Sequence, residues 1–504
     1  MKIAIVRERF EGENRVAATP ETVDKLIGLG ANVAVERGAG AGSRITDADY
    51  EAAGATLAAD AATALGGADV VLTVRRPAAT ALAGVNPGAL VIGALDPYGN
   101  EADVAALAQA GVTAVSMEFM PRITRAQVMD ILSSQANLAG YQGVIEAAAV
   151  FDRALPMMMT AAGTVRPAKA FVMGAGVAGL QAIATAKRLG AVVSATDVRP
   201  AAKEQVESLG AKFIAVEDEE FRQAETAGGY AKQMSAEYQA KQAALTAQHI
   251  AKQDIVITTA LIPGRPAPRL ISREMVESMA PGSVIVDLAA ERGGNVELTQ
   301  PGRVIEHNGV TIIGYTNVQG RIPTTASQLY ARNLLAFVET LIDKTEKRLA
   351  INWDDELVKA TVLTRDGAVV HPNFAPVTPP AVEAAAAPPP AEVVAPSGAA
   401  KAGTTGKAPV RKGKAAAKVA VPAMADPPKK AQPGVEQSIP GAAEPGPSPR
   451  KRAATKKAER VIATAAEAAK PAGRKATVRK IATEAVSETP TKRTRKPAAP
   501  KGTQ

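Results

Sequence analysis

The feature that most constrains the fold is a glycine motif, G-A-G-V-A-G, at residues 174–179. It follows the apolar, strand-like segment KAFVM and opens the helix-like segment VAGLQAIATAKRLG. In this context Gly174 makes a tight turn, Gly176 lets the backbone approach a pyrophosphate, and Gly179 permits close helix packing. The N–H groups and the dipole of such a helix favour a bound phosphate. The motif therefore predicts a parallel strand–helix–strand unit that binds a dinucleotide.

An acidic residue follows at the distance that this motif requires. Asp197 lies 18 residues beyond Gly179, at the end of the strand-like segment AVVSATD. A carboxylate there can accept hydrogen bonds from the adenosine ribose, and its negative charge favours NAD over NADP. Arg199, two residues later, is compatible with the opposite choice, because a guanidinium at that position could bind a 2′-phosphate. We expect NAD as the cofactor.

Strand-like and helix-like segments alternate up to about residue 375. The strand-like runs are KIAIV, NVAVE, ADVVLTV, ALVIGAL and VTAVS, followed by KAFVM, AVVSATD, DIVITTAL, SVIVDLA and VTIIGY. This alternation is typical of parallel sheets with crossover helices. We predict an α/β fold with two Rossmann-like lobes: residues 1–135, completed by about 326–375, and residues 136–325, which bind NAD. The cleft between the lobes is the expected ligand site.

The composition changes abruptly after Phe374, the last aromatic residue. Residues 376–504 contain 24 Lys and Arg against 9 Asp and Glu, a net charge of +15, whereas residues 1–375 carry −6. This Ala/Pro/Lys-rich stretch has too few large apolar side chains to offset the entropy of ordering, so we predict a long disordered basic tail. Such a tail suits anionic lipid or nucleic acid, and a solvated linker is an equally good interpretation.

Cysteine and histidine are scarce. The chain has no cysteine and three histidines, which excludes disulfide frameworks, thiolate metal sites and cysteine nucleophiles, and we expect no metal site. The sequence also lacks any run of 18 or more apolar residues, so we expect a soluble, cytosolic chain without a membrane-spanning helix.

A second polar cluster lies in the segment PRITRAQVMDILSSQANLAGY. Thr124 and Gln127 match a capping box, which predicts a helix beginning near Arg125. Gln127, Asp130 and Ser133 then recur every three residues, and Arg122 precedes them. Two interpretations remain open. These residues either cap the helix and face water, or form a site in which Arg122 pairs with Asp130 and the polar groups orient a carboxamide such as that of nicotinamide.

A charged, largely helical insert interrupts the second lobe around Gly228, Gly229 and Tyr230. Two glycines beside an aromatic residue suggest a loop that can close over a ligand, and a static surface excursion explains them equally well.

Several of these segments together resemble one family. They are RERFEGENRVAATPE, RITRAQVMDILSSQANLAGY, GAGVAGLQAIATAKRLGAVVSATDVRP, AETAGGYAKQMS, DIVITTALIPGRPAP and DLAAERGGN. Over residues 1 to about 374 the chain closely resembles the NAD(H)-binding alpha subunits of proton-translocating NAD(P) transhydrogenases, and more distantly the alanine dehydrogenases. The resemblance implies hydride transfer between NADH bound here and NADP(H) bound by a beta subunit, coupled to proton translocation through a separate membrane-spanning subunit.

The resemblance also implies residue roles, a homodimer and a cytoplasmic position at the inner face of the plasma membrane. The residues expected around the nicotinamide and its ribose are Arg122, Gln127, Asp130 and Ser133. The other residues expected to bind the cofactor are Gly174, Ala175, Gly176, Val177, Ala178, Gly179, Asp197, Val198, Arg199, Gly229, Tyr230, Gln242 and Leu261. These residues would position the cofactor, since hydride transfer between nicotinamides demands no nucleophile or general base.

Two other functions remain as alternatives. An alanine-dehydrogenase-like soluble enzyme is disfavoured, because that group resembles this chain but uses a histidine after the strand ALVIGAL and an aspartate in the segment matching DLAAERGGN. Here Leu95-Asp96 and Glu291 stand at those places, and His249, His307 and His371 fall elsewhere. The other alternative is a non-enzymatic NAD-binding protein that its tail recruits to anionic surfaces.

Overall fold

The first lobe is built around a six-stranded parallel sheet. In the computed structural model, residues 1–224 and 234–375 are described. The elements of this lobe are β1 (Lys2–Ile5), α1 (Pro20–Gly28), β2 (Asn32–Glu36), α2 (Asp47–Ala52), β3 (Thr56–Ala58), α3 (Ala61–Leu65), β4 (Val70–Arg75), β5 (Leu90–Ala94), α4 (Glu101–Gln109) and β6 (Thr113–Ser116). The strand order is β3-β2-β1-β4-β5-β6. The central strands are buried on both faces, which explains their continuous apolar sequences.

A long helix, α5 (Ile131–Val150), leads from the first lobe into the second. The capping-box prediction for its start is wrong. Residues Thr124–Met129 form a 3-10 helix, and Asp130 is the N-cap of α5, because its carboxylate accepts a hydrogen bond from the backbone N of Ser133 at 2.9 Å. An aspartate that accepts from the third residue of a helix is a stronger start signal than the threonine six residues earlier.

The second lobe is built around a seven-stranded sheet. After a hairpin of β7 (Met158–Thr160) and β8 (Gly163–Val165), its elements are β9 (Lys169–Met173), α6 (Val177–Arg188), β10 (Val192–Thr196), α7 (Ala201–Ser208), β11 (Lys212–Phe213), α8 (Glu219–Arg222), α9 (Ala236–Ile250), β12 (Ile255–Thr258), α10 (Arg273–Glu277), β13 (Val284–Asp287), β14 (Val304–His307) and β15 (Val310–Ile313). The strand order is β11-β10-β9-β12-β13-β15-β14, parallel except for β14.

The chain then returns to the first lobe through α11 (Pro323–Val338). The remaining elements are β16 (Ile342–Asp343), β17 (Arg348–Leu349), α12 (Glu356–Thr361), β18 (Thr364–Arg365) and β19 (Ala368–Val369). Further 3-10 turns are Ala41–Ser43, Ala79–Leu82, Met117–Phe119, Ala290–Arg292, Gln319–Arg321 and Glu339–Leu341. Tyr330 and Leu334 of α11 pack in the same core as β1 and β4, so the end of the described chain completes the first lobe.

Small residues let α5 lie directly against α6. A Cβ atom added to Gly140 would lie 2.0 Å from the carbonyl oxygen of Ala178, so this crossing tolerates no side chain at that position. The helix that leaves the first lobe is thereby fixed against the helix that follows the glycine motif.

The predicted α/β fold with two parallel-sheet lobes is confirmed. The exact domain limits at residues 135 and 325 stay a prediction. In the described ranges no helix combines the length and apolar character needed to cross a membrane. The predicted tail (376–504) and the predicted loop residues Gly229 and Tyr230 lie outside the described residues.

Candidate functional site

The two sheets meet at a cleft that lies at the carboxyl ends of their central strands. The strand order reverses between β1 and β4 in the first sheet and between β9 and β12 in the second, and such switch points are where open α/β sheets bind ligands. A cavity of about 320 Å³ occupies the cleft. Residues from both lobes line it, among them Arg15, Arg75, Asp96, Leu132, Gln135, Ala139, Ala178, Thr259, Leu261 and Glu291.

The glycine motif forms the second-lobe wall of the cleft. Gly174 has φ 99°, a left-handed conformation that favours glycine, and Thr259 Oγ1 donates to its carbonyl at 2.9 Å. A Cβ on Gly179 would lie 1.8 Å from the Gly174 carbonyl oxygen. A Cβ on Gly176, the N-cap of α6, would meet no atom within 4 Å. Gly174 and Gly179 are thus needed by the fold itself, whereas Gly176 leaves open space beside the N-terminus of a 12-residue helix.

The predicted ribose carboxylate, Asp197, is bound by its own chain. Its Oδ2 accepts from the backbone N of Ala175 at 2.7 Å, and its oxygens accept from the backbone N, Nε and Nη2 of Arg199 at 2.9–3.0 Å. Only 6% of the Asp197 side chain is exposed. The carboxylate therefore ties the glycine motif to the end of β10 and holds the Arg199 guanidinium at the same time.

The polar cluster before α5 has a different internal pairing from the one predicted. Asp130 accepts from the backbone N and the hydroxyl of Ser133, and the ion pairs between described residues do not include one that joins Arg122 to Asp130. Gln127 and Arg122 are exposed in and before the 3-10 helix. Leu132, between Asp130 and Ser133, lines the cavity. The four residues lie on consecutive turns next to the cleft, and their role as a nicotinamide site stays a prediction.

The remaining predicted residues lie on three segments of the second lobe. Val198 and Leu261 are exposed, and Leu261 lines the cavity. Gln242, on α9, accepts from the backbone N of Val216 at 2.9 Å and donates to Thr196 Oγ1 at 3.2 Å, so it supports the loops from below. Val177 and Ala178 begin α6.

A buried charge cluster in the first-lobe wall was not predicted from the sequence. Glu13 accepts from Nη2 of Arg15 at 2.6 Å and from Nε of Arg75 at 3.0 Å, and Nη1 of Arg15 donates to Gln135 at 2.9 Å. Burial alone would raise the pKa of Glu13, but the hydrogen bonds and charges of the two arginines lower it to about 2. The pairs Glu13–Arg75 and Arg15–Gln135 are 62 and 120 positions apart in sequence. The only local signal was arginine at the end of an apolar strand.

A second buried carboxyl, Glu8, lies behind this cluster. It accepts from the backbone N of Val74 at 2.6 Å and of Arg75 at 3.2 Å, at the end of β4. Burial raises its pKa to about 7, despite these hydrogen bonds.

Because the folded state raises the pKa of Glu8 above 4.5, Glu8 favours folding most at pH below 4.5, and this contribution is lost as the pH rises through 7. We expect the free energy of unfolding of wild type, relative to Glu8→Gln, to fall by about 3 kcal/mol between pH 4 and pH 8. Urea denaturation across this pH range measures the difference. Glu11→Gln, exposed in the same segment, is the control, and a pH-independent difference for Glu8→Gln would contradict the shift.

The three histidines take part in local contacts away from the glycine motif. His249 Nε2 lies 2.8 Å from Ser194 Oγ, and His307 Nε2 lies 2.8 Å from Glu277 Oε1. His371 packs against the ring of Phe119 with a centroid distance of 4.4 Å. Within the described ranges, no group of three or more His, Asp or Glu could hold a metal ion.

Comparison with known proteins assigns the family. The alanine dehydrogenase/PNT family matches in both of its domains, the N-terminal domain over residues 4–139 and the C-terminal domain over residues 143–372. An NAD(P) transhydrogenase of Rhodospirillum rubrum has an alpha subunit in separate pieces, and the first piece is 58% identical over 377 residues, which cover 74% of this chain and 98% of that protein. The crystal structure of a transhydrogenase from Sinorhizobium meliloti is 63% identical with a TM-score of 0.67, covering 73% of this chain and 100% of that one.

A more distant relative marks the breadth of the family. An alanine dehydrogenase of Halomonas elongata is 31% identical over 380 residues, which cover 74% of this chain and 95% of that protein. The resemblance inferred from the sequence motifs is thus confirmed over the region of the chain that both lobes occupy. The chain belongs to the alanine dehydrogenase/PNT family of oxidoreductases, among the NAD(P) transhydrogenase alpha subunits.

Proposed function

We propose that this chain binds NAD(H) and exchanges hydride with NADP(H) held by a beta subunit, in a complex that couples the transfer to proton translocation through a separate membrane-spanning subunit. The observation that carries the proposal is the open space at Gly176, beside the N-terminus of α6 and at the switch point of the second sheet. A pyrophosphate fits there because backbone N–H groups and the helix dipole favour its charge.

The residues of this chain have positioning roles. Bound nicotinamide cofactors supply the hydride chemistry themselves. Asp197 would accept hydrogen bonds from the adenosine ribose, and the Asp130–Ser133 unit, with Gln127 and Arg122, would orient the nicotinamide end. The Asp130 carboxylate is already fixed by the N-terminus of α5, so it needs little ordering when the cofactor binds. Orientation of this kind supplies rate without a general acid or base.

Reconstitution tests the proposal. Purified full-length protein is added to membranes from a host that lacks this subunit, and transfer from NADH to an NADP analogue with a shifted absorbance is recorded. We expect negligible transfer by the chain alone and restored transfer with the membranes. NADH binding without restoration would contradict the proposed reaction. Alanine with NAD serves as a second substrate, and turnover of alanine would instead support the alanine dehydrogenase alternative.

We further propose that the chain works as a homodimer, and the β7–β8 hairpin supports this. All six of its strand residues are exposed, and the apolar side chains of Met158, Met159 and Val165 are among them. A two-stranded hairpin that buries none of its side chains is marginal in water, so a second copy is a suitable cover. The base of the hairpin, Pro156, packs against Gly190, two residues from the exposed Val192.

Charge on the hairpin should therefore break the dimer. We expect the double variant Met158→Lys, Met159→Lys to be monomeric in sedimentation velocity at concentrations where wild type is dimeric, because an apolar contact then buries two unpaired charges. Val304→Lys is the matched control, since Val304 is an exposed apolar residue on β14 of the same lobe. A double variant that remains dimeric would place the contact elsewhere.

The basic tail supports a proposal on location. Its charge of +15 over residues 376–504 suits electrostatic attraction to anionic lipid headgroups, and this would hold the chain on the cytoplasmic side, peripheral at the inner face of the plasma membrane, near membrane-spanning partners. Nucleic acid is the alternative anionic surface. Either attraction weakens as salt concentration rises.

A further inference from the structure

Two ion pairs of opposite polarity join the lobes across the cleft. Both start from the short turn that follows β13. Glu291 Oε1 accepts from Nη1 of Arg75 at 2.9 Å, and the next residue, Arg292, forms an ion pair with Asp96. The second lobe thus contributes the acid of one pair and the base of the other. A displacement of the turn by one residue would bring like charges together, so the two pairs select one relative position of the lobes.

The two partners in the first lobe are held by buried groups. Nε of Arg75 donates to the buried carboxylate of Glu13 at 3.0 Å. Asp96 has φ 46°, a left-handed conformation uncommon for a residue with a side chain, and its backbone N donates to the carboxylate of Glu118 at 2.7 Å. Both charges therefore project from fixed ends of strands β4 and β5.

The turn in the second lobe is fixed as well. The carboxylate of Asp287, the last residue of β13, is fully buried and accepts from the backbone N of Ala289 and of Val296 and from the hydroxyl of Thr299, at 2.7–3.1 Å. A Cβ on Gly294 (φ 84°) would lie 2.6 Å from this carboxylate. The turn cannot relax without breaking these bonds, so its two charges have a defined position relative to β13.

The chain itself connects the lobes through helices. Ile131, at the start of α5, packs in the first-lobe core, and Ala147, near its end, packs in the second-lobe core. The helix α11 returns the chain and packs in the first-lobe core. The two ion pairs are therefore a bridge that is additional to the covalent connections, and it lies on the lining of the cavity.

We propose that Glu291, Arg292, Arg75 and Asp96 form a clasp that sets the width of the cleft, and that Glu291 and Arg292 are positioning residues for hydride transfer. The effect on transfer rests on the proposed function, whereas the effect on the distance between the lobes does not. Glu291 acts here as the partner of a fixed cation. All four side chains are partly exposed, so the clasp weakens with salt.

A distance measurement tests the clasp without cofactor or partner. The absence of cysteine allows one spin label on each lobe of the full-length chain, at Asp24→Cys on α1 and Glu204→Cys on α7, which are both exposed. Arg292→Asp places two carboxylates opposite each other, and we expect the label-to-label distances to become longer and broader. The exchanged pair, Arg292→Asp with Asp96→Arg, should restore the wild-type distribution. Lys359→Asp breaks an exposed pair with Asp354 within the first lobe and should change nothing.

Transfer in the reconstituted complex gives the second readout. We expect Arg292→Asp to lower kcat roughly tenfold, the exchanged pair to recover most of it and Lys359→Asp to retain wild-type transfer, since misplacement of reacting groups costs rate. An unchanged distance distribution in Arg292→Asp overturns the clasp, and a changed distribution with unchanged kcat overturns the positioning role. A changed distribution in a protein whose wild type shows no transfer would leave the clasp standing and remove the proposed function instead.

Discussion

Gly176→Ala should remove NADH binding while leaving the fold intact. In the structure a Cβ at this position meets no atom within 4 Å, and the backbone (φ −78°, ψ −166°) is one that alanine adopts freely. The added methyl group would occupy the space through which a pyrophosphate reaches the N–H groups of α6. We expect the Kd for NADH to rise about 100-fold or more, equivalent to about 2.7 kcal/mol. NADH fluorescence titration and thermal unfolding of the same samples measure the two effects.

Gly179→Ala is the matched control from the same motif, with the opposite signature. Its Cβ would lie 1.8 Å from the Gly174 carbonyl oxygen, so the turn between β9 and α6 must shift. We expect a loss of about 3 kcal/mol or more in the free energy of unfolding, and weakened binding only as a consequence. Normal NADH affinity in Gly176→Ala would mean that the pyrophosphate does not approach this loop.

Much of the fold was accessible from local sequence. The apolar runs KAFVM, AVVSATD and SVIVDLA predicted buried parallel strands, and β9, β10 and β13 occupy these segments. The glycine motif predicted a strand–helix junction because its steric demands are local, and Gly174 and Gly179 meet those demands in the structure. The start of α5 was placed wrongly, since Thr124 and Asp130 are both good N-caps in sequence and only the tertiary environment selects one.

The charge clusters of the cleft were not accessible in this way. Arg75 and Glu291 are 216 positions apart, and nothing in their neighbourhoods distinguishes them from exposed charges. Their pairing depends on the packing of two lobes, which local propensity does not determine. The left-handed conformation of Asp96 gave no signal either, because tertiary bonds from Glu118 hold it there. Interactions between distant strand ends need the three-dimensional structure.

Asp197→Asn should shift the choice of cofactor toward NADPH. The Asp197 carboxylate holds the Arg199 guanidinium through Nε and Nη2 at 3.0 Å, so its charge is neutralised locally and any 2′-phosphate would meet a carboxylate. Asparagine keeps one acceptor for the backbone N of Ala175 but removes the negative charge. We expect the ratio of the Kd values for NADPH and NADH to fall about 100-fold, or about 2.7 kcal/mol, because repulsion is lost and Arg199 becomes available to phosphate.

The double variant Asp197→Asn, Arg199→Ala separates these two causes. If the guanidinium binds the 2′-phosphate, the double variant loses the gain in NADPH affinity but keeps the weakened NADH binding, because only the ribose contact depends on Asp197 alone. If the gain persists without Arg199, removal of the negative charge is sufficient and the guanidinium has only a structural role. Calorimetric titration of both nucleotides measures all four affinities. An unchanged preference for NADH in Asp197→Asn would show that the ribose is recognised elsewhere, since no other carboxylate of the glycine motif or of β10 could replace it.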